Sequence, residues 1–180
     1  MKKKYLSRVG SCVPLFDLSV ENQNRRFRED SREPQRNSET TEGYMRSNPY
    51  LSFNGQCEAA FKFYEQLLGG KITFMQTWGD SPAAKYMPTE GHGSILHATL
   101  DLGDSTLMGA DLPPDGYEQP KGIHVVLHYK DPAEAERVFK ALAEGGKVEM
   151  PYQPTFFAAG FGQCVDRFGI PWMAISEKAA

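Results

Sequence analysis

Four histidines are the residues in this chain best suited to chemistry near neutral pH. His97 lies in the run Ile95-Leu96-His97-Ala98-Thr99-Leu100-Asp101-Leu102, where strand alternation sets His97 and Thr99 on one face and the aliphatic residues Leu96, Ala98, Leu100 and Leu102 on the other. The aliphatic face suits a helix, so His97 and Thr99 should face a cavity, with Met108 across the hairpin from His97. By the same alternation His124, Val126 and His128 share a face. A neutral imidazole so placed can act as base, acid or simple donor. It can equally bond a backbone carbonyl or a water and do no more than fix the fold. His92 falls in a Gly-rich loop and is expected to be exposed. Cys57 and Cys164 have no paired base in view, which weakens any reading of a nucleophilic thiol. With Cys12 they make three cysteines, widely separated and in no CxxC spacing, so neither a disulfide framework nor a zinc site is suggested. A reducing, cytoplasmic setting is expected.

Aromatic residues add a second hint. Phe156, Phe157, Phe161, Trp172 and Trp78 are large apolar groups, and small-molecule pockets are mostly apolar with a few polar anchors. The expected ligand-binding set is therefore His97, Thr99, Met108, His124, Phe157 and Trp172, ordinary core or a dimer contact being the other reading of the aromatics. Gly160-Phe161-Gly162 precedes no helix whose N-terminus would hold an anion, so it reads as a strand bend rather than a phosphate loop. The chain carries no nucleophile elbow, Walker sequence or dinucleotide fingerprint.

The elements that must hold these residues occur twice. At a constant offset of 76 residues, Leu51 falls on Leu127, Phe53 on Tyr129, Glu58 on Glu134, Ala59 on Ala135 and Phe63 on Phe139, and Gly69-Gly70-Lys71-Ile72 falls on Gly145-Gly146-Lys147-Val148. Each copy reads as a strand, an amphipathic helix closed by Gly-Gly, and three further strands. In the first copy the spacing predicts strands over residues 49–54, 71–78, 95–102 and 106–110, with a helix from Glu58 to Leu68 and a long loop over residues 79–94. The second copy begins at Ile123. Its helix enters through Asp131-Pro132, an Asp cap followed by a first-turn Pro, and strands follow over residues 147–152, 160–165 and 172–176.

Composition limits the remaining possibilities. The 180 residues suffice for one domain with a real core plus a remainder. Residues 49–180 hold 16 acidic against 10 basic side chains, an excess of six acids that argues against nucleic acid. Residues 1–47 contain the polar run ENQNRRFREDSREPQRNSETT, which has one aromatic and no aliphatic residue and is expected to be disordered. Arg8 interrupts the only apolar stretch that could follow the basic start, so neither export nor a membrane partner is expected. Met45, just ahead of the first strand, is a plausible alternative start.

On these residues the chain resembles the vicinal-oxygen-chelate superfamily, which includes glyoxalase I, extradiol dioxygenases and antibiotic-resistance proteins, and within it the PhnB-like branch. The likeness covers residues 48–177. It rests on Pro49-Tyr50-Leu51-Ser52-Phe53, on Glu58-Ala59-Ala60 followed by Phe63-Tyr64, on His97-Ala98 with Gly103-Asp104, and on Thr155-Phe156-Phe157-Ala158-Ala159-Gly160-Phe161-Gly162 with Asp166-Arg167-Phe168-Gly169-Ile170-Pro171-Trp172-Met173. The resemblance implies an α+β fold of two tandem βαβββ modules, residues 48–111 and 122–177, curled around an open barrel cavity.

It also implies a homodimer in which modules of two chains complete a barrel, and, in the superfamily's enzymes, His and Glu metal ligands on four cavity strands. The matching places here hold Pro49, Met108, a position within residues 124–126, and Met173, of which only His124 could bind a metal. The preferred expectation is therefore a small-molecule-binding protein without that metal site or any other cofactor. The alternative is a lyase, isomerase or dioxygenase whose divalent metal uses shifted ligands such as His97, His124 and a carboxylate from a partner subunit or from Glu90. A third reading follows the branch's frequent likening to a demethylubiquinone methyltransferase, but no Gly-rich strand-to-helix turn is present to hold S-adenosylmethionine.

If the leading segment takes no part in folding or pairing, a chain beginning at Met45 will elute as a dimer and melt at the same temperature as the full chain. Sizing with light scattering and a thermal scan test this, and a monomeric or less stable short form would contradict it.

Overall fold

The computed structural model describes residues 46–178 apart from Met87 and Pro114. The expected disordered extension over residues 1–47 thus lies, except for Arg46 and Ser47, outside the described residues.

The two copies build two four-stranded sheets of the same topology. In the first module β1 (Tyr50–Phe53) pairs in parallel with β4 (Thr106–Asp111), which pairs antiparallel with β3 (Ile95–Asp101), which pairs antiparallel with β2 (Lys71–Thr77). In the second module β5 (Val125–Tyr129), β8 (Pro171–Ser176), β7 (Gly160–Val165) and β6 (Lys147–Gln153) repeat that order. The expected tandem βαβββ fold is present. The sheets remain separate rather than closing into one barrel, so each keeps an open face opposite its helix.

Helix α1 (Cys57–Leu68) buries Cys57, Ala60, Phe61 and Tyr64, a stripe at three- and four-residue spacing, against the first sheet. Its neighbour Gln56 offers no side-chain cap. The orphan amide of Cys57 donates instead to Asp111 Oδ1 at 2.9 Å, and the other oxygen of that buried carboxyl accepts from Ile95 N at 2.8 Å. Gly69 ends the helix at φ 73°, a left-handed turn that needs no side chain. Helix α2 (Pro132–Ala143) starts as expected, with Asp131 Oδ1 accepting from Ala133 N at 3.0 Å, and buries Ala135, Val138, Phe139 and Leu142 on the second sheet. Gly160 and Gly162 are regular members of β7 rather than a bend. A Cβ on Gly160 would lie 2.1 Å from Tyr152 Oη and one on Gly162 2.8 Å from Phe139 Cε2, so close packing is what requires glycine.

The modules are joined through side chains. Asp166, at the β7–β8 turn and 3 % exposed, accepts at Oδ2 from Tyr64 Oη (2.5 Å) and Trp172 Nε1 (2.8 Å). At Oδ1 it accepts from the amides of Phe168 (2.8 Å) and Ile170 (3.0 Å). Tyr64 belongs to α1 and the other donors to the second module, so one carboxyl group ties the first helix to the second hairpin. Around it Tyr64 meets Trp172 and Phe168 edge-on, Phe63 packs on Phe168, and Arg167 lies 4.1 Å over the Phe63 ring. Burial and the neighbouring Asp166 hold the Tyr64 phenol well above its ordinary pKa, so it remains a donor.

Tyr64→Phe keeps the ring and removes one hydrogen bond to a charged acceptor. It should lower stability by about 1.5–3 kcal/mol in urea titration, whereas Asp166→Ala, which strands four donors, should cost more. A Tyr64→Phe loss below about 0.5 kcal/mol would show that this link is not what couples the modules.

Candidate functional site

The open face of the first sheet brings together three of the residues expected from sequence. Met108 lies across the hairpin from Thr99 rather than from His97 as expected, while Gln76 pairs with His97 and Tyr50 with Met108, so these side chains form one patch opposite α1. His97 is its centre. Its Nδ1 lies 3.1 Å from Tyr50 Oη and its Nε2 3.2 Å from Thr99 Oγ1. Tyr50 stacks on the imidazole with centroids 5.7 Å apart, and Phe74 lies 5.8 Å away on its other flank. Tyr50 is 51 % and Phe74 47 % exposed, an unusual state for two aromatic rings beside a histidine. Burial raises the Tyr50 phenol above its ordinary pKa, with a smaller contribution from Cys57, so it stays protonated at neutral pH. The face therefore offers aromatic surface, a thioether and polar atoms that can pair with a ligand.

Sequence reasoning missed Tyr50 and Phe74. Tyr50 was legible, because burial of Leu51 and Phe53 turns Tyr50 and Ser52 to the other face. Phe74 was not. Simple alternation would put it with Ile72, and the irregularity between Ile72 and Phe74 in the β2–β3 pairing turns it outward.

The other three expected residues lie elsewhere. Trp172 is fully buried on the helix side of β8 with its Nε1–H given to Asp166, which corrects its assignment to the ligand set: Met173, not Trp172, takes the open side. Phe157, half exposed, stacks edge-on with Phe156 and Phe161 in the loop between β6 and β7. His124 precedes β5, and its Nε2 lies 3.6 Å from Glu149 Oε2, beyond hydrogen-bond distance. His92 is not simply exposed. Its ring bonds Ala84 O at 3.2 Å and its carbonyl accepts from Gly79 N at 2.9 Å, pinning the long loop after β2.

The four places at which the resemblance implies metal ligands do not fit a divalent ion. Parallel pairing sets Tyr50, rather than Pro49, opposite Met108, and sets Val126 opposite Met173. A phenol, two thioethers and an isopropyl group are a poor donor set where about three imidazole, carboxylate or thiolate ligands are needed. Among the described residues no three His, Cys, Asp or Glu side chains come together, so His97, His124 and Glu90 form no shifted site within one chain. Both described cysteines are buried. Burial, followed by Asp111, raises the Cys57 thiol far above its ordinary value; burial, followed by Asp166 and Glu149, pushes Cys164 up to about 12. No helix among the described residues is long and apolar enough to cross a membrane.

Two like modules, each with its helix on one side and an open sheet on the other, define an α+β fold of the glyoxalase kind. The sequence profile of the Glyoxalase/Bleomycin resistance protein/Dioxygenase superfamily matches residues 46–174, and the chain belongs to that superfamily. Protein YjdN of Escherichia coli is 36 % identical, the match covering 72 % of this chain and 93 % of that one. The crystal structure of protein PA1353 from Pseudomonas aeruginosa is 46 % identical with a TM-score of 0.70, covering 76 % of this chain and all (100 %) of the other. The PhnB protein of Bacillus cereus shares the fold at 23 % identity and a TM-score of 0.62, over 73 % of this chain and 99 % of its own.

Thiols so protonated and enclosed should resist alkylation. Iodoacetamide at about pH 8 should leave Cys57 and Cys164 unmodified in the native protein and label both in urea, as read by peptide mass mapping. Rapid native labelling of either would contradict the geometry.

Proposed function

We propose that this chain is a small-molecule-binding member of its superfamily, holding a partly apolar ligand on the open face around His97 without the metal centre of the superfamily's enzymes. The observation that carries the reading is the pair of half-exposed rings, Tyr50 and Phe74, flanking an imidazole whose two nitrogens are held by Tyr50 and Thr99. Aromatic surface supplies contact area, and the imidazole, phenol and hydroxyl supply orientation. A bound ligand would recover apolar area that water now covers. The donor set at the superfamily's metal places, Tyr50, Met108, Val126 and Met173, supports binding over metal-assisted turnover.

The reading includes a homodimer. Each sheet presents a face that its own chain leaves open, and Met150, Phe156 and Phe157 are all exposed. A second copy laid across these faces would enclose the ligand and cover those side chains.

Nile red, an uncharged apolar fluorophore, is a suitable probe of the face. Wild-type protein should enhance its emission saturably, and Tyr50→Ala and Phe74→Ala, both at half-exposed positions, should each weaken binding about tenfold. Unchanged affinity in both variants would place the probe elsewhere and remove the support for this face.

A further inference from the structure

Away from the His97 face, a cavity on the second module and a cavity between the modules are both lined by His124. The first, about 390 Å³, is lined by Lys121, His124, Lys147 and Glu149, with Val165 and Pro171 as apolar wall. The second, about 290 Å³, is lined by Pro49 and Leu107 of the first module and by Val126 and Leu127 of the second, and also by His124. Both approach or fall within the size of ordinary small-ligand pockets. One is charged and the other is aliphatic, so together they have the profile of an amphiphile.

The charged half has a definite sign. Lys121 and Lys147 against Glu149 leave one net positive charge, in a region of the chain whose overall balance is six acids in excess. Lys147 is only loosely engaged, 3.8 Å from Glu149 Oε1, and among the described residues no hydrogen bond or ion pair engages Lys121. Deeper in, His124 Nε2 is buried with no hydrogen-bond partner. Buried polar atoms are nearly always paired, and an orphan that lines a cavity marks a place where a ligand atom is wanted. Two exposed lysines and one buried imidazole nitrogen suit an oxyanion, which accepts from all three. Glu149 opposes an anion, but Lys147 stands beside it and it lies 3.6 Å from the imidazole.

We infer that the cleft between the modules binds a small amphiphilic acid, its carboxylate or phosphate head at Lys121, His124 and Lys147 and its hydrocarbon body along Leu107, Val126 and Leu127. This site goes beyond the His97 face and needs none of its residues.

Isothermal titration of the full chain with octanoate, octyl phosphate and uncharged 1-octanol tests the inference. At least one of the two oxyanions should bind in the cleft and 1-octanol at least tenfold more weakly. The tighter oxyanion identifies the head group. Lys121→Gln and Lys147→Gln, at exposed positions that should not disturb folding, should each weaken the acid about tenfold, about 1.4 kcal/mol. About 0.5 M salt should weaken it further in the wild type, and Lys85→Gln, a charge loss elsewhere, should change nothing. Equal binding of acid and alcohol, or unaltered binding in both lysine variants, would overturn the inference. The two sites fail separately: protein that binds Nile red but neither acid loses the cleft alone, and protein that binds an acid but not Nile red loses the His97 face alone.

Discussion

One buried carboxyl group, that of Asp166, ties the two modules of this fold together. The two sheets share no hydrogen-bonded strands, so their relative placement rests on side chains, and Asp166 is where the polar ones converge. Its four donors come from two modules, and the Tyr64 contact spans 102 residues of chain. In an apolar surrounding such a group is costly unless every oxygen is satisfied, and then it favours one arrangement over near alternatives. Phe63, Phe168 and Trp172 close the seam. Because both helices are committed to this inner side, both sheets must turn their other faces outward. Asp111 plays the local counterpart, holding the start of α1 and of β3 from the end of β4.

The open faces then differ by residue chemistry rather than by backbone. Equivalent pairings carry Tyr50 with Met108 in one module and Val126 with Met173 in the other. These are the places where the resemblance implies metal ligands, and this chain carries there a phenol, two thioethers and an isopropyl group. What remains around His97 is a surface for contact and hydrogen bonding, and what remains around His124 is a charged notch above an aliphatic cleft. Fold membership and site chemistry thus point in different directions, and only the second can say what is bound.

The architecture was readable from the chain because its signals are local and repeated. The 76-residue echo gave two modules, Asp131-Pro132 and Gly69 marked helix ends, and alternation placed His97 and Thr99 on one face, with the register of Met108 off by two residues. What stayed hidden depends on partners distant in sequence. Alternation divides Trp172 from Met173 but does not say which meets a helix; the helix that buries Trp172 is supplied by the other module, through Tyr64. Phe74 faces outward because of a pairing irregularity that no residue type announces. His92 looked like a loop residue in the open and is instead the post of that loop, through a bond to Ala84 O.

This chain keeps the superfamily's fold, and its proposed binding faces are expected to work without a metal. The direct test is elemental analysis of the purified full-length protein, with native mass spectrometry, after incubation with zinc, nickel, manganese and iron(II) followed by desalting. Metal should stay far below one equivalent per chain for every ion. Near-stoichiometric retention of any of them, lost on His97→Ala or His124→Ala, would contradict it and show that ligands drawn together in the assembled protein build the centre that the single chain's donor set does not.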